Sequence, residues 1–252
     1  MEERDPMSWG EVRRIIQSVP CSDAQLQRLA DCAQVDREAR VLELANTLTL
    51  SAQCWGSMLG CPIEVVSADA FFAKAGQRQS PRPALDGGDP NREPAFEFTP
   101  CPDAPRYDCI FWHLDTPKAA TELERLGQQI RASLGVNGCL ILTLPVRIGL
   151  KASADVNAFY EEIGARPMLP GEVAQSLEAS GFEPLLVEFT PNRQTLARYR
   201  MIERALAECD KVDEAVAARW KREVKLFLKE GGEAFFPSAV FVARRWEYVD
   251  GS

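Results

Sequence analysis

The chain has 252 residues, 46% hydrophobic and 26% charged, with a formal net charge of −8 and a pI near 5.0. Such a composition suits a globular chain with one large domain or two small ones, and its acidity gives no electrostatic footprint for nucleic acid. No apolar run approaches the ~20 residues of a membrane-spanning helix; MEERDPMSWGEVRRII has no apolar secretory core, so no membrane partner and a cytoplasmic location are expected.

In chain order, residues 8–19 and 22–34 read as helices. Ser22 is a candidate N-cap with Gln25 at the capping-box position, and Leu26, Leu29, Ala30 and Ala33 recur at helical spacing. Both precede the first strand, and residues 1–38 are expected to form a helical lid over its end. Arg40–Leu44 (RVLEL) is a short apolar run suited to a buried parallel strand, with Glu43 near its close. Leu50–Leu59 reads as a helix ended by Gly60 and Pro62, and Ile63–Val66 as the second strand, with Asp69 following. A helix is expected to start near Asp69.

Residues 76–95 are dense in Pro, Gly and charge and read as an exposed insertion within the domain. Strands are expected at Ala95–Phe98 and Tyr107–Phe111, then an amphipathic helix over Ala119–Leu134. A GVNG turn leads to Cys139–Leu144 (CLILTL), the clearest buried-strand signal in the chain. Residues 154–164 and the segment from Leu169 to Ser180 read as helices, the second stopped by Gly181. Glu183–Thr190 is a strand, and residues 193–232 form a helical insert before a last strand at Ala239–Arg244. On the second insert helix, Val216, Trp220, Val224, Phe227 and Leu228 form an apolar stripe, most simply core, otherwise a dimer face or substrate cover.

The eight cysteines include no C-x-x-C pair, and His113 is the only histidine. Zinc-type spacing is absent, so reduced, mostly buried thiols are expected rather than a metal site or disulfide framework. Alternation of strand and helix argues for a largely parallel sheet covered on both faces.

Taken in order, these segments resemble the class I S-adenosylmethionine-dependent methyltransferases. The resemblance spans roughly Leu26 to Trp246. It rests on RVLEL with its loop and helix, on IEVVSAD, on FEFTP followed by YDCIF, on LERL with GVNGCLIL, and on LPGEV with LEASGFE. It implies an α/β three-layer sandwich around a mostly parallel seven-stranded sheet, a single domain over 1–252, and methyl transfer from S-adenosylmethionine to a small molecule.

The same resemblance implies a cofactor site. Asp69, with Ala70 beside it, falls where the ribose diol is held, Glu43 lies near the amino acid end, and Thr99 lies near adenine. Ala45, Thr47 and Thr49 occupy positions where the family's first loop carries glycines. Trp112 falls where an aromatic could stack on adenine or substrate. His113 follows the fourth strand, where a residue facing the methyl group would sit, and an imidazole there could take a proton from a substrate hydroxyl, thiol or amine. Two β-branched residues stiffen a loop that needs close backbone approach. That motivates the alternative of a catalytically inactive methyltransferase-like protein serving as a partner subunit or binding a different small ligand. A homodimer or a heteromeric partner is compatible with either.

Overall fold

The computed structural model describes residues 23–44, 56–66, 71, 106–114, 120–148, 151–209, 214–230, 232 and 237–246. The expected strand at 95–98, the insertion at 76–95 and the first N-terminal helix lie outside the described residues, as does the helix expected from Asp69 except Phe71.

Among the described residues six strands form one sheet. They are β1 (Val41–Leu44), β2 (Ile63–Val66), β3 (Tyr107–His113), β4 (Leu134–Pro145), β5 (Phe182–Phe189) and β6 (Ser238–Arg245). Their order is β2-β1-β3-β4-β6-β5. Strands β1 to β4 pair in parallel, and β6 runs antiparallel to both β4 and β5. The sheet is therefore mostly parallel, a single reversed strand lying between two that share the common direction.

Both faces are covered, which is what near-continuous apolar strands require. On one face pack α2 (Ala120–Ser133) and α4 (Pro170–Ala179). There Leu123, Leu126 and Ile130 of α2, with Val173 and Leu177 of α4, meet Leu42, Leu44, Ile110, Trp112, Leu140, Leu142 and Phe241. The opposite face carries α1 (Asp23–Ala33), whose Leu26, Leu29, Ala30 and Ala33 meet Val41, Cys109, Phe111, Cys139, Ile141, Val240 and Val242. Alternate residues of each strand thus serve opposite cores. The apolar spacing of α1 does not place it in a lid: its whole stripe is used against the sheet, so this part of the N-terminal segment is a layer of the sandwich.

Local chemistry fixes the joints. Pro170 opens α4, and the Leu169 backbone N–H donates to the Glu172 carboxylate at 2.7 Å. Gly181 follows the helix at φ 81°, a conformation that costs glycine little. A Cβ on Gly127 would lie 2.6 Å from Ser180 Oγ, so that glycine sets the close approach of α2 to α4.

Strand β4 starts sooner than its sequence suggests. Leu134 pairs with Tyr107, and the regular ladder resumes at Cys109 with Cys139, leaving 135–138 looped out of register. Asn137 takes φ 61° within that bulge. The GVNG turn thus becomes an interruption inside a strand. Strand β3 also runs two residues further than expected, through His113.

Three further helices among the described residues are α3 (Ala154–Glu162), α5 (Asn192–Glu208) and α6 (Glu214–Lys229). They build a third core from Val156, Phe159, Tyr199, Ile202, Leu206, Trp220, Val224 and Phe227, so most of the α6 stripe is core. Topology places this helical group on one side of the molecule. Helix α3 follows the carboxyl end of β4, while α5 and α6 connect the carboxyl end of β5 to the start of the antiparallel β6.

Candidate functional site

The strand order defines where a ligand can sit. The chain runs from β1 outward to β2, then returns to the other side of β1 for β3. In open α/β sheets the crevice forms outside the carboxyl ends of the strands at such a switch point. Here those ends are Glu43 and Leu44 on β1, and Trp112 and His113 on β3.

Glu43 pairs in register with Val65 on one side and Phe111 on the other. It lies inside the strand rather than closing it, because the ladder runs on through Leu44, and it is 1% exposed. By alternation it shares the α1 face with Val41. A carboxylate in the middle of a parallel sheet breaks the apolar rule of such strands, and it does so at the switch point.

His113 is the last residue of β3 and is half-buried. It shares the α1 face with Phe111 and lies opposite Thr143 of β4. Its Nδ1 is 2.7 Å from Thr143 Oγ1. The Leu114 backbone N–H donates to the Thr143 carbonyl at 2.8 Å. Thr143 thus holds the end of β3 through both its backbone and its side chain. It is fully buried. Sequence reasoning passed over it, although a single hydroxyl inside CLILTL was the available signal.

Trp112 alternates to the opposite face. It is 2% exposed among Leu42, Leu44, Ile110 and Leu142. The structure therefore brings Glu43, His113 and Thr143 to one face of the carboxyl edge and places Trp112 in the core beneath the other. Ala45, Thr47, Asp69, Ala70 and Thr99 lie outside the described residues.

At the opposite edge, where strands begin, the polar groups bind one another. Tyr107 donates its hydroxyl to Glu64 at 2.8 Å. Burial, then that bond, pushes its ionisation up to about 12. The Arg40 backbone N–H donates to Asp108 at 2.8 Å. Among the described cysteines, Cys61, Cys109 and Cys139 are buried, Cys32 and Cys209 are half-buried, and all five are free thiols. Burial raises the Cys109 thiol well above its ordinary value, which makes it inert rather than nucleophilic. Among the described residues no group of His, Cys, Asp and Glu is placed to hold a metal ion. No described helix is long and apolar enough to cross a membrane.

Neither a protein-family model nor a curated protein matches the sequence. Solved structures do match. A Galdieria sulphuraria protein assigned as a sarcosine dimethylglycine methyltransferase superposes with TM-score 0.59 at 16% identity, over 89% of this chain and 85% of that one. The geranyl diphosphate C-methyltransferase of Streptomyces coelicolor, solved with Mg2+, geranyl diphosphate and S-adenosylhomocysteine, gives 0.52 at 14%, over 88% and 78%. The cyclase SpnF gives 0.53 at 15%, over 97% and 85%. The chain has the Rossmann-like fold of the class I S-adenosylmethionine-dependent methyltransferases. These likenesses describe its architecture. A cyclase among them is a reminder that activity is set by the site.

Proposed function

We propose that this protein transfers a methyl group from S-adenosylmethionine to a small molecule held at the carboxyl edge of the sheet. The observation that carries the reading is Glu43, a carboxylate 1% exposed at the switch point of the strand order. Its chemistry fits the cofactor: a carboxylate there accepts charge-assisted hydrogen bonds from an amino acid's ammonium group. When bound, S-adenosylmethionine supplies an electrophilic methyl. We assign Asp69 and Ala70 to the ribose, Thr99 to adenine, and Ala45 and Thr47 to the loop that passes the cofactor. Trp112 supports the end of β3 from beneath the sheet.

The rest of the work is positioning. Methyl transfer to a nucleophile needs in-line geometry and exclusion of water more than a dedicated catalytic constellation. His113, at the end of β3, contacts the acceptor group. The helical group of α3, α5 and α6 attaches at this same edge and supplies an apolar cover, which suits a small-molecule substrate.

Calorimetric titration with S-adenosylmethionine and S-adenosylhomocysteine tests the reading. Binding is expected, and Glu43→Gln should weaken it by about tenfold or more, since a hydrogen bond to a charged group contributes ~1.5–3 kcal/mol. No heat and no thermal shift at millimolar ligand would overturn it. The fold would then serve a ligand or partner unrelated to methyl transfer, the reading that Thr47 and Thr49 in the first loop support.

A further inference from the structure

Helix α5 begins at the carboxyl edge of the sheet, directly after β5. Its N-cap is Pro191, and no side chain caps its first N–H groups. Counted from that cap, Thr190 is N′, Gln194 is N3 and Thr195 is N4. The N′ and N4 side chains of a helix pack against each other, commonly as an apolar staple over the first turn. Here the pair is two threonines, 3% and 1% exposed, and among the described residues neither hydroxyl has a hydrogen-bond partner. Gln194 stands where a capping-box side chain reaches back to the N-cap N–H, which proline lacks. Its side-chain carbonyl is likewise buried without a partner. Polar groups sealed from water and left unbonded destabilise a folded chain, so three around one turn call for an explanation.

The chemistry of the turn says what would satisfy them. It carries no acidic residue and has Arg193 beside Asn192, both exposed. The unpaired N–H groups and the dipole of a 17-residue helix attract negative charge to this end. Each threonine hydroxyl has a proton to donate, and a half-turn of the Gln194 amide exchanges its carbonyl for an NH2. Such a set of donors suits the oxygens of an anion. Backbone holds it in place, since the Thr190 N–H donates to the Ser238 carbonyl at 2.8 Å and the Thr195 N–H to the Pro191 carbonyl at 3.2 Å.

We propose that the N-terminus of α5, with the Thr190 and Thr195 hydroxyls, binds the carboxylate or phosphate group of a small molecule. Thr190 continues the pairing of Phe189 with Ala239, opposite Ser238, and so falls on the α1 face with Glu43, His113 and Thr143. Strand β5 is three places from β3 in the sheet, about 14 Å at the usual strand spacing. That the bound group belongs to the methyl acceptor rests on the methyltransferase reading. An acceptor anchored on α5 would be an elongated anionic molecule, reaching across the carboxyl edge to the switch point.

Inorganic phosphate titrated into the 15N-labelled full-length protein at constant ionic strength tests the site, with the backbone amides of Asn192 to Thr195 as the readout. Those resonances should shift saturably with phosphate and not with chloride. A parallel titration with acetate separates the two sources, the tighter anion naming the group. Thr195→Val keeps the side-chain shape and should weaken phosphate binding about threefold to tenfold. Its melting temperature without anion should be unchanged or higher, because the hydroxyl makes no bond there. Thr195→Ser should bind as the wild type does. Absence of a saturable shift with either anion at tens of millimolar would overturn the proposal. So would a Thr195→Val protein that binds phosphate undiminished. A valine variant that melts markedly lower, or does not fold, would show the hydroxyl already bonded within the protein, and the proposal would fall there too. The titrations need no S-adenosylmethionine, so failure here is distinct from failure of the calorimetric test.

Discussion

The sheet and the helical group of α3, α5 and α6 are both well-packed cores, yet they are held together differently. Within the strands the buried side chains are almost all apolar, from Leu42 and Ile110 to Phe241 and Val242, and the buried polar ones, Glu43, Thr143 and Ser238, lie toward the carboxyl edge. The helical group buries charge in its middle. Tyr199 donates its hydroxyl to Glu223 at 2.8 Å, with both residues nearly inaccessible. The Arg198 guanidinium lies 5.9 Å from the Tyr199 ring centre and 5.7 Å from that of Trp220. Tyr199 also stacks on Phe227 at 4.1 Å. Burial, then the nearby Glu223 charge, pushes the Tyr199 hydroxyl far above its ordinary value. The sheet is a scaffold whose polar exceptions mark a ligand edge. The helical group is specified by directional bonds, which fix one packing among several that three amphipathic helices could adopt.

The largest effect should come from the sheet. Phe241 is fully buried on β6, with Leu142 opposite it on β4 and Val187 on β5. Phe241→Ala should destabilise the protein by ~3–5 kcal/mol, the transfer term plus the cavity it leaves. Chemical denaturation read by tryptophan fluorescence checks this. A loss under ~1 kcal/mol would mean the sheet core is far looser than its burial implies.

A smaller but more discriminating effect is expected in the helical group. Tyr199→Phe keeps the ring and its stack on Phe227 while removing one hydroxyl. Leaving the buried Glu223 without that donor should cost ~1–3 kcal/mol. Replacing Trp220 by Phe instead tests shape and the Arg198 contact. If Tyr199→Phe were neutral, the helical group would be held by apolar area in the same way as the sheet, and the contrast between the two regions would disappear.

These two regions were also unequally legible in the sequence. The strands VLEL, IEVV, YDCIF and CLILTL announced themselves as short, mostly apolar runs, because a strand in a sheet covered on both faces must be largely apolar. Their ends were less visible. Strand β3 continues through His113, since pairing with β4 rather than local composition decides where it stops. The 135–138 bulge looked like a turn because Gly and Asn serve both. The helical insert was legible as amphipathic stripes, but its polar centre was not. Arg198, Tyr199 and Glu223 are ordinary residues for a helix surface, and only the packing of α5 on α6 turns them inward. At the site, Glu43 was visible as a charge in an apolar run. Thr143 was not, because its meaning comes from the strand beside it, 30 residues away.

The smallest predicted effect lies where α1 meets β5. Arg28 makes two hydrogen bonds to Glu188, at 2.8 and 2.9 Å. The Arg28 bond, the largest influence, holds the Glu188 carboxylate below the usual carboxylate value. The sign follows from linkage. The unfolded chain binds a proton at Glu188 more readily than the folded one, so this contribution is present above the ordinary glutamate value, ~4.3, and fades as pH falls through the lowered folded value. The Arg28 side chain is 56% exposed and that of Glu188 19%, so water still reaches the pair and the contribution is small and screened by salt. Glu188→Gln should therefore narrow the stability difference between pH 6 and pH 3 slightly, ~0.5 kcal/mol or less, and the narrowing should vanish at molar salt. Denaturation midpoints measured across that pH range, with and without salt, check this. A large effect persisting at high salt would show that α1 is clamped to the sheet by a desolvated ion pair, and the sheet would then share the polar anchoring of the helical group.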